Sequence, residues 1–223
     1  MEDIIKEKYI EGSVDPLYYQ SLERILFQMK NCICKINIKE IKSTGFFCKI
    51  PFPDLAHSFS VLATTMHSFN DLENQNSILI SLNDDKEIKE LKIDNTRKVF
   101  KDEKLDTAFI EILPDDKINN FLEVDDNLFK NEQNLGLILH KKSAYVLHYI
   151  EGDKMAMNPG IIRDTFEHDI RHSCSTSKGS AGAPILLLDS LKVIGIHKGC
   201  KMNVKVNLGT LINYPINEFI KNK

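Results

Sequence analysis

The chain has 223 residues, with 29 basic and 32 acidic side chains, seven histidines and five cysteines, and a net charge of -3. That length can bury a core without disulfide staples, and the near-balanced charge offers no basic field to nucleic acid or to an anionic membrane surface. The odd set of cysteines lacks CxxC spacing, "MEDIIKEKYIEG" lacks a signal-peptide core, and no apolar run reaches a membrane span, so a soluble protein of the reducing cytoplasm is expected.

In chain order, residues 1–31 read as a polar leader followed by a helix. Asp15 is placed as the N-cap and Pro16 in the first helical position, with Tyr18, Leu22, Ile25, Leu26 and Met29 at helical spacing. From Cys32 the pattern shifts to short strands: "CICKINI", "GFFCKI", "FSVLATT", "SILISL", "IKELKI" and "TAFIEIL". The acidic, Asn-rich "PDDKINNFLEVDDNLFKNEQN" then reads as a connection. A second series of strands follows: "LGLILH", "AYVLHYI", "GIIRD", "RHSCS", "APILLL", "KVIGIHKG" and "LGTLINY". The tail "YPINEFIKNK" has a short helical pattern after Pro215. Strands at intervals of about ten residues favour an all-β sandwich or barrel over a βαβ fold, and periodicity leaves sandwich and paired barrels open.

The stretch "STSKGSAGAPILLL" is a small-residue turn running into an apolar strand, the arrangement that holds a reactive side chain in a fixed pose. Its centre is Ala181, which has no reactive atom. Serine acyl transfer needs a nucleophile, a base, a carboxylate to orient the base, and N–H donors for the oxyanion. "VLATTMHSF" puts His67 just past the end of a strand, and "KLDTAFIEI" puts Asp106 at the mouth of another.

Together, "LATTMHSF", "LDTAFIEI" and "GSAGAP", with "STGFFCKI" ahead of the histidine, resemble the trypsin-like (chymotrypsin-fold) serine proteases over roughly residues 30 to 220. The resemblance implies an all-β fold of two antiparallel six-stranded barrels, at about 32–115 and 133–212, to which the sequence pattern adds the N-terminal helix and the short C-terminal one. It makes 32–223 the protease domain and leaves the leader and helix of 1–31 unexplained. It implies His67 as base and then acid, Asp106 as its orienting partner, and Gly179 with residue 181 as the oxyanion hole. The nucleophilic serine falls on Ala181, so the chain as it stands is expected to be inactive. Either a deliberate Ser→Ala change or a natural pseudoprotease explains that alanine. The preserved base, acid and glycine favour the first.

Specificity in this family comes from the segment before the nucleophile and the strand after it. Thr176 and His197 at those places resemble the pockets of glutamyl endopeptidases and picornaviral cysteine proteases, implying cleavage after Glu or Gln, or after Asp. An imidazole and a hydroxyl can both hydrogen-bond such a side chain. A trypsin-style pocket fits worse, because Ser175 occupies the place of its carboxylate. Ser180, before the nucleophile, replaces the Asp that zymogen-type activation requires. The expected partner is a protein or peptide substrate, with no cofactor, no metal, no nucleic acid and no membrane. The oligomeric state is left open.

Plainer readings attach to the other candidates. His168 and His172 in "HDIRH" have the i, i+4 spacing of a zinc pair without the rest of that motif, and read as surface or pocket-wall residues. Cys174 lies seven positions before residue 181, too early for a nucleophile, and reads as a buried apolar side chain. Cys32 and Cys34 are placed together on one face of a strand, and Cys48 in a core.

Overall fold

The computed structural model describes residues 12–38, 41–54, 56–69, 76–201 and 206–222. Helix α1 (Tyr19–Cys32) leads into β1 (Ile33–Ile38), β2 (Ile41–Pro51), β3 (Ser58–Thr64), β4 (Ser77–Leu82), β5 (Glu87–Lys92), β6 (Val99–Asp102) and β7 (Thr107–Glu111). A connection containing β8 (Leu122–Glu123), α2 (Asn127–Lys130) and α3 (Leu135–Leu139) follows. The second half consists of β9 (Ser143–Ile150), β10 (Lys154–Phe166), β11 (Asp169–His172), β12 (Pro184–Leu187), β13 (Val193–Lys201), β14 (Val206–Leu211) and α4 (Asn213–Lys221).

The second half closes into an antiparallel six-stranded barrel in the order β10-β11-β14-β13-β12-β9. The first half is a curled sheet in the order β5-β4-β1-β2-β3-β7-β6, with β8 adding in parallel to β2. Among the described residues β5 and β6 do not pair, so this half is an open barrel with more strands than the six expected. The extra pairing comes from "VFKD", whose mixed polarity hides β6 in the sequence, and from the two-residue β8.

Side-chain alternation along β2 divides the interior. Phe46, Cys48 and Ile50 join the main core, which continues through the second barrel, while Phe47 joins a smaller core with Cys34, Ile36, Leu62 and Ile110. Cys32 and Cys34 therefore do not share a strand face. Cys32 ends α1 and packs in the main core, because the strand begins only at Ile33.

Two further expectations are corrected. Helix α1 starts at Tyr19, not Pro16, and Asp15 does not cap it. The backbone N–H of Asp15 donates instead to Ser143 Oγ at 2.9 Å, which ties the preceding segment to the second barrel. The helix docks through buried Ile25 and through Gln28, which donates to the Leu191 carbonyl and accepts from Tyr145 Oη, while Leu22 and Leu26 stay exposed. "LGLILH" is the short helix α3 and not a strand. Leu135 and Leu139, one helical turn apart, are its buried residues. No helix among the described residues is long and apolar enough to cross a membrane.

Helix α4 returns from the second barrel to the first sheet. Phe219 stacks on Phe52 at 4.4 Å between ring centroids and meets Phe59, Phe100 and Phe109 at 5.8, 5.3 and 6.2 Å. Replacing Phe219 by Ala should destabilise the chain by about 3 kcal/mol. Urea unfolding should then show a lower midpoint with an unchanged slope.

Candidate active site

Strand β3 ends at Thr64, and a tight turn follows. Phe69 N–H donates to the Met66 carbonyl at 2.7 Å, and the Thr65 and Ser68 hydroxyls lie 2.8 Å apart. Ser68 and Phe69 point inward, which leaves the His67 side chain outward with about half its surface exposed, 52%. Asp106 sits on the turn before β7 with φ of +49°, in the left-handed region that Asp tolerates better than most residues. Its Oδ2 lies 2.7 Å from His67 Nδ1, and its Oδ1 accepts the His67 backbone N–H at 2.9 Å. One carboxylate thus fixes both the ring and the loop. With Nδ1–H donating to Asp106, Nε2 is the nitrogen available for proton exchange.

The second barrel holds this turn in place. Thr210 Oγ1 of β14 donates to the Leu105 carbonyl at 2.8 Å, and Thr107 Oγ1 donates to the same oxygen at 3.1 Å.

The turn around residue 181 lies against Thr44 of β2 and Thr64 at the end of β3. Gly179 and Gly182 have φ of +90° and +86°, and a Cβ on Gly182 would collide with the Thr44 carbonyl and Thr64 Oγ1. Both positions therefore require glycine. Thr44 is fully buried and uses every polar group it has. Its N–H donates to the Ala181 carbonyl at 2.9 Å, and its Oγ1 donates to the Gly179 carbonyl at 2.7 Å. Oγ1 also accepts the Tyr149 N–H at 3.1 Å, and its carbonyl accepts Thr64 Oγ1 at 2.9 Å. One residue of β2 thus joins the turn, the strand leading to His67, and the second barrel. On the barrel side, Gly182 N–H donates to the His197 carbonyl at 2.9 Å, and His197 N–H donates to the Ala183 carbonyl at 2.8 Å. Ser180 points inward, fully buried.

His197, on β13, is buried inside the second barrel, and Thr176 is half-buried in the loop ahead of the turn. His172 Nε2 approaches His197 Nδ1 at 3.3 Å, with the rings at 74°. Burial pushes the His197 imidazole well below its usual range; a proton on His172, His148 or His67 would act in the same direction, and a backbone hydrogen bond with Leu208 acts the other way. Burial alone lowers His172 to about 4. Both rings are therefore neutral at pH 7. Alternation along β11 turns Ile170 and His172 inward, so His172 is a partner of His197. His168 instead lies 3.7 Å from Asp169 and against Tyr214. No group of three or more His, Cys, Asp or Glu side chains among the described residues could hold a metal. Cys174 is buried with its thiol pushed up to about 12, which removes it as a thiolate nucleophile.

The architecture is that of the chymotrypsin-like all-β proteins, with a closed barrel, a second curled sheet and a helix at either end. Solved structures similar to this chain include an inactive form of the Rv3671c protein of M. tuberculosis H37Rv carrying a serine-to-alanine mutation, with 17% identity, a TM-score of 0.65 and 94% of each chain covered. The Rv3671c protease in its inactive form matches at 16% identity and a TM-score of 0.63, covering 92% of this chain and 96% of that one. The serine endoprotease from Yersinia pestis matches at 11% identity and a TM-score of 0.63, covering 93% of this chain and 67% of that one. No protein-family description and no curated protein matches the sequence.

Proposed function

We propose that the chain carries the framework of a serine endopeptidase, with His67 as general base and then acid, Asp106 as its orienting carboxylate, and position 181 as the place of the nucleophile. The observation that carries this reading is the double grip of Asp106 on His67, at the ring nitrogen and at the backbone N–H. With serine at 181, His67 Nε2 takes the hydroxyl proton as Oγ attacks the scissile carbonyl. The N–H groups of Gly179 and residue 181 receive the oxyanion, His67 protonates the departing amine, and water then releases the acyl group by the same steps. With Ala181 in place, the attacking oxygen is missing and the chain does not cut.

His197 and Thr176 are assigned to the pocket for the side chain preceding the cut, with Glu or Gln as the preferred residue and Asp as the shorter homologue. The neutral state of His197 and His172 supports an amide guest, because a buried carboxylate would have to bring a proton with it.

The Ala181→Ser chain tests the proposal on a peptide library containing Glu and Gln. Turnover, with Gln favoured over Glu at pH 8, is the expected result. The second reading is a peptide-binding module, favoured by Ala181 itself. Binding of the same peptides by both chains, with no turnover from either, would establish that reading instead.

A further inference from the structure

The turn that carries residue 181 is also held from inside the barrel by groups that the proposed chemistry does not use. Ser180 Oγ accepts the Ser177 N–H at 3.0 Å and lies 2.6 Å from His148 Nδ1. On the far side of that ring, Nε2 lies 2.9 Å from Asn158 Oδ1. The protons of this chain follow from its acceptors. Asn158 Oδ1 requires a proton on Nε2, so the neutral imidazole presents a bare Nδ1, which takes the Ser180 hydroxyl proton.

Ser180 and His148 are 0% and 1% exposed, and neither can meet a substrate. Their position gives them another use. Ser180 lies between Gly179 and residue 181, so anchoring its side chain limits the rotation of the peptide groups on either side. Those groups carry the Gly179 carbonyl, held by Thr44 Oγ1, and the N–H of residue 181. The turn is thus fixed by β2 on one face and by the Ser180–His148–Asn158 chain on the other.

Resting on the proposed role of this turn, we propose that His148 is a positioning residue. Held between Asn158 and Ser180, it fixes the peptide group that carries the N–H of residue 181, one of the two donors assigned to the oxyanion.

A doubly protonated ring would break the arrangement. Nδ1–H would then donate to Ser180 Oγ beside the Ser177 N–H, and the Ser180 hydroxyl proton would lose its acceptor. The surroundings oppose that state. Burial lowers the basicity of His148, with the Asn158 hydrogen bond acting the other way. The titratable groups that face it are His197 of β13, with His172 of β11 behind it. Asn158 of β10 and Ser177 and Ser180 of the turn carry no charge.

Amide hydrogen exchange on the chain as it stands tests this directly. His148→Leu and the smaller Ser180→Ala should each speed exchange at Ser180 and Ala183, whose N–H groups close the turn onto the Ser177 and Ser180 carbonyls, by about tenfold or more. Amides between β9 and β10 should keep their protection. In the Ala181→Ser chain, His148→Leu should lower kcat about 10²-fold with KM within about twofold. His148→Asn, whose amide oxygen can accept from Ser180, should recover part of the loss. Unchanged exchange at the turn in both variants would overturn the proposal, as would equal loss of protection throughout the barrel. If Ala181→Ser shows no turnover, the catalytic reading fails, and the exchange rates still decide whether His148 holds the turn.

Discussion

In the Ala181→Ser chain, Asp106→Asn should lower kcat about 10⁴-fold while leaving KM within a few-fold. The carboxylate accepts from both the Nδ1–H and the backbone N–H of His67. An asparagine keeps one accepting oxygen, and that oxygen can satisfy the backbone N–H. Its NH2 group then faces Nδ1 and favours the tautomer with the proton on Nε2, the nitrogen that should act as base. Asparagine tolerates the left-handed backbone at this position about as well as Asp, so the fold should survive and the loss should be one of chemistry. Stopped assays at saturating peptide, with thermal unfolding as the control for folding, measure it. A change in KM with kcat preserved would mean that Asp106 serves binding and not proton transfer.

The parts of this arrangement visible in the sequence are those with a local signature. The apolar run ending before His67, the strand beginning after Asp106 and the glycines at 179 and 182 each announce themselves within a few residues. The groups that hold them do not. Thr44 reaches Gly179 across 135 positions and Thr210 reaches Leu105 across 105, and no periodicity within a segment encodes such a pairing. His148 leaves a faint mark, a polar residue within the apolar "AYVLHYI", but its partner Ser180 lies 32 positions away. Short apolar runs were ambiguous for a different reason. "LGLILH" suits strand or helix equally by composition, and its outcome is settled by packing of Leu135 and Leu139 in the main core. At the start of α1 a good local signal, Asp15 before Pro16, is overridden by the hydrogen bond from Asp15 to Ser143.

The chain should lose stability steeply as pH falls from about 6.5 to about 4, and His172 should account for a large part of it. Its ring is fully buried and its Nδ1 has no hydrogen-bond partner, so a proton added there would be a charge without compensation. The folded value, about 4, lies below the unfolded reference of 6.5, so within that window the unfolded chain binds a proton that the folded chain refuses. Stability is full above the unfolded value, falls through the window, and levels off once the folded ring also titrates. A shift of this size corresponds to roughly 3 kcal/mol. His197, lowered for the same reason and in contact with His172, adds to the loss in the same direction. Replacing His172 by Phe keeps a buried ring without a titrating site. Urea unfolding at pH 8 and pH 4.5 should show that the variant loses about 2 to 3 kcal/mol less than the parent on acidification. Parallel losses in the two proteins would mean that the acid sensitivity arises elsewhere and that the imidazole pair at the base of the proposed pocket is not held neutral by its burial.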